Sequence, residues 1–165
     1  MVSAKAAFEI VTPRLVIRPM TEGDVDAYAR IQTDAGAKFA PDEMVEKLRD
    51  ERAAKQRRHT LWLLGVLKDN PDVAVLEMSF YRRRQFRKDV SVGYYTLSGF
   101  RKQGYMSEAL AHTLKPMKAM LNVTQVKAEV DADNEASIKT LQRAGFMSRW
   151  GLPDESNLLH FRHGR

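Results

Sequence analysis

The stretch Gly99-Phe100-Arg101-Lys102-Gln103-Gly104-Tyr105-Met106-Ser107-Glu108-Ala109-Leu110 stands between a β-type run and the start of an apolar helical stripe. A helix that opens straight after such a turn presents backbone N–H groups with no intrahelical acceptor. Its dipole adds partial positive charge, so the position suits an anion. Arg101 and Lys102 bring cations to the same place, and Gly104 lets the backbone approach a diphosphate closely. The pattern lacks the G-x-x-x-x-G-K-[ST] of a P-loop and the three glycines of a dinucleotide fingerprint. Standing alone, the segment would read equally well as a plain strand-to-helix turn with surface cations.

The chain around it bounds what that turn can belong to. With 165 residues, 44% hydrophobic and 29% charged, it fits one ordinary globular domain over residues 1–165. No apolar run approaches the roughly 20 residues that span a bilayer, and Met1-Val2-Ser3-Ala4-Lys5 lacks a secretory apolar stretch. Zero cysteines exclude disulfides, thiolate metal sites and a cysteine nucleophile. A cytoplasmic location fits these absences. The formal charge of +6 favours anionic partners. It is densest in Arg82-Arg83-Arg84-Gln85-Phe86-Arg87-Lys88 and in Lys55-Gln56-Arg57-Arg58-His59. These blocks read either as a solvated loop and helix face or as a landing strip for an anionic macromolecule.

The elements that must position the turn follow from periodicity. Phe8 to Arg18 reads as an opening strand. Thr21 with Asp24 resembles a capping box, starting a helix through Val25, Tyr28, Ala29 and Gln32. Pro41 suits the first turn of a second helix, with Met44, Val45 and Leu48 on one face, running on to about His59. Leu61 to Leu67 and Val73 to Phe80 form a hairpin around Lys68-Asp69-Asn70-Pro71, and Val90 to Leu97 is the next strand. A helix over Gly104 to Leu121 carries Pro116, which should kink or shorten it. Thr124 to Val130 alternates, with Val126, Ala128 and Val130 opposite Gln125, Lys127 and Glu129. Glu135 to Arg143 is a short helix ended by Gly145, and Phe146 to Trp150 and Leu158 to Arg162 close the chain as strands. The strand–helix–strand passage implies one parallel pair in a mostly antiparallel sheet, an α/β or α+β class with helices on both faces.

Taken in order, Val92-Gly93-Tyr94-Tyr95-Thr96-Leu97, Arg101-x-x-Gly104-x-Met106-x-Glu108-Ala109-Leu110, Asn134-x-x-Ser137 and Gly145-Phe146 resemble the GNAT superfamily of acetyltransferases. Thr12-Pro13-Arg14-Leu15-Val16-Ile17-Arg18-Pro19 resembles the opening strand of the branch that acetylates N-termini of ribosomal proteins. The resemblance is weakest from about Asp34 to Thr60. It implies the GNAT fold, with the strand ending near Leu97 splayed from its parallel neighbour at a bulge. It also implies acetyl-CoA as cosubstrate, its diphosphate cradled by Arg101, Lys102, Gln103, Gly104, Tyr105, Met106 and Ser107. Met106 replaces a small residue and would either crowd the diphosphate or turn into the core. Pantetheine would pair with Tyr95, Thr96 and Leu97 like an added strand, with Ala128 to Asp131 opposite and Asn134 bonding it or capping its helix.

Acetyl transfer to an amine needs a neutral nucleophile, oxyanion stabilisation and a proton for the departing thiolate. Relatives often keep a tyrosine acid where this chain has Leu141, so the resemblance passes the donor role to Ser137. Glu155 and Glu77, with Asp89 behind them, are the candidate bases, and a water-relayed mechanism would need none. His160 and His163 have no third ligand nearby for a metal, so they read as surface residues. The implied activity is N-acetylation of a primary amine by a monomer or homodimer. A protein N-terminus is the first choice of acceptor and a small-molecule amine the second. The competing reading is a basic RNA- or ribosome-binding module with a GNAT-like fold and little turnover, although no RNA-reading signature is present.

Overall fold

The computed structural model describes residues 8–53, 60–82, 88–149 and 151–164. The opening strand is broken by Pro13 into β1 (Ile10–Val11) and β2 (Leu15–Pro19), which pair back on each other with Ile10 opposite Ile17. That corrects the single strand expected over Phe8 to Arg18: proline cannot donate to a ladder, so the chain turns there. Asp24 takes the Thr21 N–H at 2.8 Å and a two-pronged contact from Arg18, fixing the lead-in to α1 (Val25–Asp34). Pro41 opens α2 (Pro41–Ala53), and the expected continuation to about His59 lies outside the described residues.

β3 (Thr60–Leu67) and β4 (Asn70–Tyr81) form the expected hairpin, and β5 (Asp89–Thr96) pairs antiparallel with β4. Then follow α3 (Tyr105–Leu121), β6 (Gln125–Asp131), α4 (Glu135–Arg143), β7 (Met147–Ser148) and β8 (Leu158–His163). The final strand pair is shorter at β7 than expected, because Gly145 and Gly151, both left-handed, bracket it closely. Helix α3 runs through Pro116 without interruption, against the expected shortening. Its turn there is held by packing, since Leu114 and Met117 on either side are buried in the core.

The sheet has eight strands in the order β1-β2-β3-β4-β5-β6-β8-β7, and β5 with β6 is its parallel pair. One face packs Leu15, Ile17, Leu63, Met78, Phe80 and Val92 against Met106, Leu110, Leu114 and Met117 of α3 and Leu141 of α4. The other face packs Leu64 and Val66 against Ile31 of α1, with Met20 and Val25 against Met44 and Leu48 of α2. This is the mixed α/β architecture with helices on both faces that periodicity implied.

Strands β5 and β6 pair only from Asp89 opposite Gln125 to Ser91 opposite Lys127, and then part. The β4–β5 register continues without a shift from Tyr81 opposite Ser91 to Leu76 opposite Thr96. The parting therefore needs no bulge in β5, contrary to expectation. It comes from the divergence of two strands, not from an inserted residue. The register shift in this region lies instead in the β3–β4 ladder between Gly65 and Leu67, where β4 carries the extra residues, and a Cβ on Gly65 would stand 2.6 Å from Leu76.

Candidate functional site

The turn before α3 has the backbone of an anion cradle. Lys102 and Gly104 are left-handed, at φ 60° and 79°, a conformation that costs a non-glycine residue strain. With Gln103 between them, these turn residues aim consecutive backbone N–H groups into one concavity. Among the described residues, the amides of Lys102, Gln103, Gly104, Tyr105, Met106 and Ser107 donate to no protein acceptor, and the first helical bond is Glu108 N–H to Gly104 O at 3.0 Å. Met106 is 7% exposed and joins the core, so its bulk turns away from the cradle while its N–H stays with it.

A staple holds that turn, and sequence reading missed it. The Glu108 carboxylate accepts the Thr12 hydroxyl at 2.6 Å, the Arg14 N–H at 2.8 Å and Arg14 Nε at 2.7 Å. Burial alone would raise its proton affinity, but these donors prevail and hold it below the usual carboxylate range. Arg14 continues onto the Gln103 carbonyl at 2.9 Å and stacks 4.2 Å from the centre of the Tyr105 ring. The residues of the opening Thr-Pro-Arg-Leu run thus brace the cradle from the turn between β1 and β2.

Arg101 lies differently from its expected place among the amides. Its Nε donates to Thr96 O at 3.1 Å, and its guanidinium rests 4.8 Å from the Tyr95 ring centre, against the Tyr95 hydroxyl. Asp34, at the end of α1, ties the same corner by accepting from the Tyr95 and Ser98 hydroxyls and the Ser98 N–H. Leu97 N–H donates to Val75 O on β4, so the antiparallel alternation directs the backbone groups of Tyr94 and Thr96 toward the gap beside β6. Those two, more than Tyr95 and Leu97, offer an edge for an extended ligand.

Across the gap, Asn134 caps α4 by accepting the Ser137 N–H at 3.1 Å. The Ser137 hydroxyl lies 2.7 Å from the Tyr94 hydroxyl of β5. Tyr94 was not singled out by sequence reading. Burial raises its proton affinity, with the Ser137 contact pulling the other way. Leu141 is fully buried in the core and faces no opening.

The expected bases stand apart from one another. Glu77, 9% exposed, lies between Leu64 and Tyr95 on the α1 side of the sheet, and no hydrogen bond or ion pair reaches its carboxyl among the described residues. Burial pushes it up to about 7. Asp89 is paired with Lys127 Nζ at 2.5 Å. Glu155 is exposed in the turn before β8, whereas its neighbour Asp154 bonds His160 Nε2 at 2.6 Å. His160 Nδ1 is 3.6 Å from Glu129, beside a cavity of about 220 Å³ that both residues line. His163 packs against Phe146 and Lys118 on the other side of the sheet. Residues 83–87 of the basic block, like residues 55–59, lie outside the described residues, while Arg82 bonds the Leu121 carbonyl at the end of α3.

Known proteins share this architecture. A family model described as an acetyltransferase (GNAT) domain matches residues 14–147. A Vibrio fischeri ribosomal-protein-S5-alanine acetyltransferase superposes with a TM-score of 0.74 at 17% identity, covering 97% of each chain. A Salmonella typhimurium acetyltransferase, described as modifying the N-terminal serine of ribosomal protein L7/L12, gives 0.76 at 16% identity, covering 96% of this chain and 99% of that one. Mycobacterium smegmatis RimJ in complex with CoA-disulfide gives 0.73 at 17% identity, over 96% and 86% of the two chains. No curated protein matches the sequence.

Proposed function

The chain belongs to the GNAT acetyltransferase family and draws its acyl group from acetyl-CoA, and on that premise we propose that it acetylates a primary amine, first of all the N-terminal amine of a protein. The observation that carries the reading is the run of six amides from Lys102 to Ser107 that donate to no acceptor among the described residues, at the head of α3 and beside the parted strands β5 and β6. A diphosphate fits such a cradle because it offers several acceptor oxygens to fixed donors and a helix dipole. The free backbone edge at Tyr94 and Thr96 suits the extended arm of the same molecule, for which Arg101 must release Thr96 O. Bound there, acetyl-CoA supplies an activated thioester carbonyl.

The chain's own residues then handle protons and position. Ser137, fixed through its N–H by Asn134 and through its hydroxyl by Tyr94, is the proposed donor to the leaving sulfur. Tyr94 stands behind it as the group that restores its proton. Of the carboxyls expected as bases, Asp89 is paired with Lys127, Glu77 is almost enclosed, and Glu155 is exposed with no hydrogen bond or ion pair among the described residues. Protein N-termini come before small amines as acceptors because the Thr12–Pro19 run resembles the ribosomal-protein branch and three solved neighbours are described as acting on ribosomal proteins. The second choice has its own support in a spermidine N-acetyltransferase chimera with a TM-score of 0.76. Acetylation assays over peptides with free N-termini and a panel of polyamines test the order. Turnover confined to the polyamines would overturn it.

A further inference from the structure

We propose that Arg101 makes the ligand edge of β5 conditional on a diphosphate, so that the site discriminates against thioesters that carry the pantetheine arm alone. This rests on the acyl-transfer reading above. The Arg101 side chain occupies that edge: its Nε donates to Thr96 O at 3.1 Å, and its guanidinium lies over the Tyr95 ring, 4.8 Å from the centre. Thr96 O is the acceptor that an arm running beside β5 has to use, because the neighbouring Leu97 N–H is turned the other way, onto Val75 O of β4. The guanidinium therefore stands where the N–H groups of the arm must come.

The hold on Arg101 is of a kind that yields to an anion. Two arginines flank the turn, each stacked on a tyrosine, and they differ in what fixes them. Arg14 lies 4.2 Å from the Tyr105 ring centre and is locked by the Glu108 carboxylate, 2.7 Å from its Nε. Arg101 makes no ion pair among the described residues. It rests on a carbonyl and on the Tyr95 hydroxyl, whose own proton goes to Asp34 Oδ2 at 3.0 Å. Asp34 also accepts the Ser98 N–H at 2.8 Å and the Ser98 hydroxyl at 2.7 Å, so Tyr95 keeps its place when the guanidinium leaves.

Bonds from a guanidinium to neutral acceptors are weaker than bonds to ionised ones. Arg101 is exposed, and Lys102, whose amide opens the cradle, is the next residue. A diphosphate on those amides is within reach by side-chain rotation alone, and its charged oxygens match the fork of an arginine. The diphosphate thus draws Arg101 off Thr96 O, and the bared carbonyl receives the arm. A molecule with the arm but no diphosphate must displace the guanidinium with no anion to receive it. The coupling is reciprocal, since both halves of the cosubstrate favour the same position of Arg101.

The test splits the cosubstrate into ADP and pantetheine. Each is followed by NMR titration on wild type and Arg101→Ala, with acetyl-CoA titrated in parallel by calorimetry. The substitution should move the two halves in opposite directions. Pantetheine should bind roughly threefold tighter and ADP roughly threefold weaker, the size of one exposed contact. Saturating ADP should strengthen pantetheine binding to wild type by roughly the same factor and leave it unchanged in Arg101→Ala. In wild type the Arg101 Nε ¹⁵N resonance should move on addition of ADP alone. Pantetheine binding that is no tighter in Arg101→Ala, or that ADP does not strengthen in wild type, overturns the proposal while acetyl-CoA binding stands. Wild type that binds no acetyl-CoA overturns the acyl-transfer reading and the proposal with it.

Discussion

The Tyr94 and Ser137 hydroxyls share a 2.7 Å hydrogen bond from β5 to α4, across the side of the sheet where the two strands part. Leu141, where the family resemblance leads one to expect a tyrosine, is sealed in the core. A tyrosine hydroxyl nevertheless reaches the same helix, delivered from a strand.

That contact makes a kinetic expectation. Ser137→Ala should lower kcat roughly 100-fold, the lower range for a lost proton donor, while acetyl-CoA affinity stays within about twofold. Tyr94→Phe keeps the ring in place and removes the hydroxyl, so its loss should be smaller, about tenfold. If the two act in series, the double variant should be no slower than Ser137→Ala. Additive losses would separate them and leave Tyr94 as packing.

At the cradle, Gly104→Val should weaken acetyl-CoA binding at least tenfold by calorimetry while the protein stays folded. The cause is conformational. A Cβ at Gly104 would meet only the Arg14 guanidinium, at an ordinary 3.5 Å, but valine at φ 79° is strained and would re-aim the neighbouring amides. Unchanged affinity in the folded variant would remove the diphosphate from this turn.

The staple on α3 should show itself in acid. The proton affinity of Glu108 is held below the ordinary carboxylate value in the fold, so its stabilising contribution is present above about pH 4.5 and is lost as pH falls through the folded value. Glu108→Gln should therefore lower Tm by a few degrees at pH 7, and the two proteins should converge as pH falls below 4.5 through the folded value. A constant difference across that range would mean that packing, and not the charge, holds Thr12 and Arg14 to the helix.

How far the sequence foretells this site depends on the range of the interaction. The strand alternation of Val126, Ala128 and Val130 and the cap at Asn134 are local, and both elements form where periodicity places them. Met106 left two outcomes open, because a single position cannot say which side of a helix meets the core until the sheet is present. The bonds from Thr12 and Arg14 to Glu108 span 96 and 94 residues, and no local pattern announces them. His160 looked like a surface residue for the same reason. Its partners come from a facing strand and a turn, and only the register of β6 on β8 brings Glu129 beside it.

Glu77 offers the last test, and it separates stability from catalysis. Its carboxyl lies almost enclosed with no hydrogen-bond or ion-pair partner among the described residues, and burial lifts it from 4.5 to about 7. A carboxyl whose folded value is raised is accommodated best when protonated, so the folded state binds more protons than the unfolded chain between those two values. Stability should therefore fall as pH rises from about 4.5 to 7 and then level off, by about 3 kcal/mol from this one group. Glu77→Gln carries no titration, so it should abolish that slope and be the more stable protein at pH 8 in urea unfolding. If Glu77 takes no part in the proton transfers, Glu77→Gln should also keep kcat/KM within about threefold. A 100-fold loss alongside the abolished slope would instead make Glu77 the base, its buried carboxylate matched to neutral pH by the same desolvation that destabilises the fold.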